Sequence, residues 1–165
     1  MPSPASTPLA TLTLTSTDSQ IDFVNIPANG YKGLVLVADC AVTNNADMGI
    51  QINGDAAANY PQQTLRGYET TVNAAAATYD RIYWALASIS STSRFLGIAN
   101  FADPAATDKH KTVLLRSGYV GGSTPFVEAK SARWASGNAI TSIRLILSSG
   151  SFAVGSQFSL YGIAG

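Results

Sequence analysis

Hydrophobic and polar residues alternate along most of this chain, and a period of two is the signature of strands with one buried face. In ATLTLTS, Ala10, Leu12 and Leu14 fall on one side and Thr11, Thr13 and Thr15 on the other, which predicts a half-buried strand. IDFV continues the pattern through Ile21 and Phe23, and NIPANGY then supplies Pro27, Asn29 and Gly30, which favour a turn. GLVLVADCAV is apolar at almost every position, as expected of a central strand covered on both faces. MGIQING alternates through Met48, Ile50 and Ile52 and ends at Asn53-Gly54-Asp55, where Asn and Gly accept the positive φ of a tight turn. RIYWALASI, RFLGIANFA, HKTVLLRSGYV and PFVEAKSARWAS follow as further strands, and AITSIRLILSS and SQFSLYGI make a final pair joined by GSFAVG.

Nowhere do apolar residues recur at helical spacing for three turns. AAAATYDRIYWALA reads as a loop followed by a strand, and NGDAAANY as a hairpin followed by an irregular connection. About ten short strands without a sustained helix or a fixed repeat predict an all-β fold, an antiparallel β-sandwich. The closing FSLYGIAG fits such a fold. Phe158 and Leu160 face one way and Ser159 and Tyr161 the other, so the strand can seal a sheet by burying two large side chains, about 1.5–3 kcal/mol each. Residues 1–8 depart from the alternation: three prolines among Ser, Thr and Ala predict an extended, solvated arm. Residues 9–165 are then a single sandwich domain, a size that one core can serve.

Charge alters the picture more than apolar content does. Ten basic and ten acidic residues cancel, which removes the cationic footprint of a nucleic-acid binder. No stretch approaches the roughly 20 apolar residues that cross a bilayer, and MPSPASTP has neither the basic start nor the apolar core of a signal peptide. The expectation is a protein that engages neither nucleic acid nor membrane. Charged residues make up only 12%, about half the usual share. A surface so poor in charge lacks the usual protection against association, which predicts cover by copies of the chain or by a neighbour.

Candidate chemistry is sparse. His110 is the single histidine, beside Asp108, but no G-x-S-x-G elbow accompanies it, and Lys109 and Lys111 read as a solvated strand entrance. The acids lie mostly where turns are expected, at Asp18, Asp47, Asp55, Asp80, Asp103 and Asp108, with Glu69 and Glu128 isolated. Asp bonds its own backbone in turns, a better account than the paired carboxylates of a glycosidase. Asn53, Asp55 and Asn59 offer oxygens but not the acid density of a calcium loop. Cys40, the only cysteine, reads as a small buried apolar residue without partners for a disulfide or a metal. The expectation is no enzyme, no cofactor and no metal. Trp84 and Trp134 lie in apolar strands and read as packing, whereas Tyr60, Tyr68 and Tyr119 are the candidate glycan contacts, since aromatic faces hold sugars on many β-sandwiches.

Three stretches also carry a family resemblance: DFVNIPANGYKGLVLVADCAV, IQINGDAAANYPQQTLRGY and WASGNAITSIRLILSSGSFAVGSQFSLYGIAG. In this order they resemble a group of tailed-bacteriophage structural proteins. In that group an I-P turn leads into an L-x-L strand, an N-G-D…N-Y segment follows, and the chain closes on W…AI-x-SI-x-L…G-x-F-x-x-G-S-x-F-x-LYGI. Residues 70–125 lie mostly outside the likeness. The resemblance implies a jelly-roll-like domain in a virion, assembled in the host cytoplasm, either in the head as a decorating, cementing or minor capsid protein or in the tail, baseplate or fibre. The group has no shared catalytic residues. Pro27, Asn53, Gly54, Asp55, Tyr60, Trp134, Gly155, Phe158, Leu160, Tyr161 and Gly162 stand at its motif positions as makers of turns and core. A chain this short, without repeats or a coiled-coil stem, suits the head better than a fibre. The expected partners are further copies, as a homotrimer, and the major capsid protein, with Pro2, Pro4 and Pro8 of the arm as assembly contacts. In a tail location the partner would be a host glycan.

Overall fold

A computed structural model of the chain describes residues 5–27, 29–121 and 124–165, with backbone alone at residues 86, 87, 120, 121 and 124. These residues form twelve strands and no helix: β1 (Ser6–Thr13), β2 (Gln20–Phe23), β3 (Gly33–Ala41), β4 (Ala46–Ile52), β5 (Tyr60–Tyr68), β6 (Thr71–Tyr79), β7 (Ile82–Ile89), β8 (Arg94–Ala102), β9 (Lys111–Gly121), β10 (Thr124–Trp134), β11 (Ile143–Leu147) and β12 (Gln157–Ile163). Eight of them pair in the order β1-β12-β3-β8-β9-β10-β5-β6, and four in the order β2-β11-β4-β7. Every pairing is antiparallel. The fold is the antiparallel β-sandwich that the alternation predicts.

The core lies between the sheets. The larger contributes Leu34, Leu36, Ala38 and Cys40 from β3, Phe95, Ala99 and Phe101 from β8, and Phe158 and Leu160 from β12. The smaller answers with Ile50 and Ile52 of β4, Trp84 of β7, and Ile143 and Leu145 of β11. Trp84 meets Phe95 edge to face at 5.8 Å, and Phe152 meets Phe158 the same way at 5.0 Å, geometries that suit the ring quadrupoles. β12 is bonded to β1 on one side and β3 on the other, with Phe158 and Leu160 buried as the sequence reading requires. Gly162 has no room for a side chain: a Cβ there would run into the Tyr31 ring.

Four sequence expectations change. β1 begins at Ser6, so Thr7 and Pro8, read as part of the arm, are paired with Gly162 and Tyr161 of β12. Ala10 and Leu12 do stand beside Leu160 and Phe158, but both are exposed, since β1 is the last strand of the larger sheet. β3 is buried on one face only; Val35 and Val37 on the other are half-buried. β5 lies where the alternation predicts no strand, and β6 takes in the alanines that read as loop. β6 pairs with β5 over nine consecutive positions although its middle is four alanines, which have low strand preference on their own.

Candidate functional site

The NGD segment is the most tightly bonded polar feature. Asn53 and Gly54 take φ of 53° and 70° to turn the chain after β4, which Asn tolerates and Gly adopts without cost. Asn53 Oδ1 accepts hydrogen bonds from the Thr141 and Ser142 backbone N–H groups, and its Nδ2 donates to the Ala139 carbonyl at 2.8 Å. Asp55 Oδ2 accepts from Trp134 Nε1 at 2.8 Å and Asn59 Nδ2 at 2.9 Å, while Oδ1 accepts from the Ala57 N–H at 3.0 Å. Burial works against charge on Asp55, but these three donors outweigh it and hold the carboxyl below its ordinary range. The Asp55 oxygens thus pin the β4–β5 turn to Trp134, and the Asn53 oxygen pins it to Thr141 and Ser142.

Tyr60 belongs to the same knot, which corrects its reading as a glycan contact. It is fully buried, its hydroxyl accepting from the Ile52 N–H at 3.0 Å and donating to the Asp55 carbonyl at 2.9 Å. Burial pushes this phenol well above its ordinary range. No ring face is left for a sugar. Tyr68 and Tyr119 are placed differently. Both stand opposite Phe126, on β5 and β9, so Tyr68, Phe126 and Tyr119 form one row across three strands. Tyr119 stacks on Phe126 at 5.1 Å and donates to the Ser88 carbonyl at 3.2 Å, while Tyr68 is 44% exposed. The Arg66 guanidinium lies 5.2 Å from the Phe126 centroid.

Beside this row, buried charges collect. Glu128 and Lys130 are each nearly closed off from solvent; Lys130 Nζ donates to the Tyr83 carbonyl and stands 3.2 Å from Glu128 Oε1 without the alignment of a hydrogen bond. Arg66 approaches the same oxygen at 3.6 Å. Burial pulls the Lys130 ammonium down from its ordinary pKa, against the opposing charge of Glu128.

The remaining candidates lie apart. His110 is exposed in the β8–β9 connection. Lys111 is fully buried rather than solvated, with Nζ donating to the Lys109 carbonyl at 2.9 Å, while Lys109 pairs with Asp103 at 3.1 Å. Cys40 is buried and free, its thiol pushed up to about 12, chiefly by burial, as its apolar reading expects. Among the described residues no group of three or more His, Cys, Asp or Glu could hold a metal ion. Pro2 and Pro4 lie outside the described residues; Pro8 is exposed in β1.

The least expected feature is the outward face of the larger sheet. A row across it runs Leu96, Gly118, Val127, Gly67, Val72 on β8, β9, β10, β5 and β6. The glycines leave gaps between exposed aliphatic side chains. The next row is Ile98, Arg116, Ala129, Leu65, Ala74. Leu65, Leu96, Leu114, Val72 and Val127 are each more than half exposed. An open depression of about 620 Å³ lies here, lined by Leu65, Ile98, Leu114, Arg116 and Ala129. Arg116 stands among them without an acidic partner among the described residues. The signal is present in RFLGIA and TVLL, which are apolar at both strand parities, a pattern that strand propensity alone also explains. No family model matches the chain, and no curated protein matches it either.

Proposed function

We propose that this chain is a non-enzymatic structural protein of a tailed-bacteriophage virion, and within it a capsid decoration or cement protein that stabilises the head by bridging neighbouring subunits. The resemblance of the closing motif supports the family. The single observation that carries the role is the outward apolar face of the eight-stranded sheet, with Leu65, Leu96, Leu114 and Val127 exposed on three successive rows. Outer faces of antiparallel sandwiches are ordinarily polar, and a contiguous apolar patch on a sheet marks a surface meant to be covered. Covering it yields about 25 cal/mol per Å² of apolar area. Arg116 at its centre would select a partner surface bearing a carboxylate.

The experiment adds the purified protein to shells lacking it. A Leu114→Glu/Val127→Glu chain should keep the wild-type unfolding midpoint, because both side chains already face solvent, and should no longer bind shells. Undiminished binding by that variant would remove this face from the account.

A second reading, a glycan-binding module at the tail, baseplate or fibre, is favoured by Tyr68, the exposed member of a row whose Phe126 is buried and whose Tyr119 is half-buried. Specific retention on a glycan array, lost in Tyr68→Ala, would select it over the first.

A further inference from the structure

The sandwich has four edge strands among the described residues, and three carry a device against pairing with another chain. β1 holds Pro8 and a register shift between Pro8 and Ala10. β2 is four residues long and contains Asp22. β7 pairs with β4 through two register shifts. Short length, charge, proline and bulges are how edges avoid templating a foreign strand. β6 has none of them. It runs for nine residues, TVNAAAATY, without a charge or a proline, and its register with β5 is unbroken.

We propose that β6 is the site at which two copies of this chain pair, antiparallel, about a two-fold axis through Ala75, joining their larger sheets into one. The register follows from length: only with Ala75 opposite Ala75 of the second copy do all nine residues find a partner. Ala74 then faces Ala76 of the second copy, and Val72 faces Thr78. Small side chains at the centre bring no bulk and no like charges together. The nine positions carry no charge at all, so no like charges meet anywhere along the paired strands. The outward rows that end at Val72 and Ala74 meet Thr78 and Ala76 of the second copy, whose own rows run on through Pro61 and Gln63, so the two apolar patches lie on one face of the joined sheet without merging. An isologous contact closes at two copies, in place of the trimer that the family resemblance implies. The inference stands whether or not the chain belongs to a virion.

The test is oligomeric state by sedimentation and light scattering of the full chain, with two double variants. The wild type should be a dimer. Ala74→Lys/Ala76→Lys sets lysine opposite lysine twice and should give a folded monomer, whereas Ala74→Lys/Ala76→Glu sets lysine opposite glutamate twice and should restore the dimer. Circular dichroism reports folding of each. If the monomeric variant proves unfolded, amide exchange of the wild type decides instead: alternate β6 amides pointing away from β5 should slow as concentration rises. A wild-type monomer, a trimer, a dimer indifferent to paired lysines, or amide exchange independent of concentration would each overturn the proposal. Shell binding by a monomer, or a dimer that ignores shells, separates this inference from the virion reading.

Discussion

Asp55 shows how much structure one side chain can organise. Its carboxylate receives the indole N–H of Trp134, which is itself 2% exposed, so Asp55→Ala leaves a buried donor unsatisfied, at about 1–3 kcal/mol. The effect has a pH signature. The folded-state pKa lies below the unfolded value, so the stabilisation is complete above the unfolded pKa, near 4, and is lost as pH falls through the folded value. Urea titrations across the acid range should show wild-type stability falling more steeply than that of Asp55→Ala, with the two curves converging at the lowest pH. The Asn53-Gly54 turn was legible because its residue types name a backbone conformation. Tyr60 was not: a tyrosine beside a turn looks alike whether its hydroxyl reaches inward or its ring faces out, and only the Asp55 carbonyl across the loop decides.

Among the elements, β12 was the plainest in the sequence and is the most consequential in the fold. Its two large apolar residues sit at one parity, and the structure buries both between β1 and β3. Phe158→Ala should cost about 3–5 kcal/mol, read as a lower denaturant midpoint at unchanged slope. β5 and β6 were hidden for opposite reasons. β5 places Gln62 and Thr64 on its inward face, so its alternation sets polar residues where apolar ones are sought. β6 is exposed along nearly its whole length, so burial imposes no alternation on it. Its strand character comes from an unbroken ladder with β5, a tertiary cause that no window of its own sequence contains.

At the scale of the molecule, eight strands face four, and this inequality was illegible because alternation tells each strand that it has an inner face, not how far the opposing sheet extends. It explains why Ala10 and Leu12 are exposed on a face that alternation assigns to the interior. It also redraws the arm. Since Ala5 already accepts a hydrogen bond from Ala164 and the ladder begins at Ser6, any reaching role falls to residues 1–4. Deleting residues 1–4 should leave the unfolding midpoint unchanged and, on the decoration reading, weaken attachment to shells in a co-sedimentation assay; deleting 1–8 should lower the midpoint as well, because it removes ladder positions from β1.

The position of β12 between two strands made long before it has a consequence for biosynthesis. At roughly 5–20 residues per second, β1 leaves the ribosome on the order of 10 to 30 s before β12, its one neighbour among the described strands, exists. Once β3 has been made, the nascent chain holds its near edge open and leaves the places of Phe158 and Leu160 in the core unfilled until β12 arrives. Maturation is therefore a late, nearly all-or-none event, and polypeptides stalled short of residue 157 should be open to proteases and dependent on chaperones.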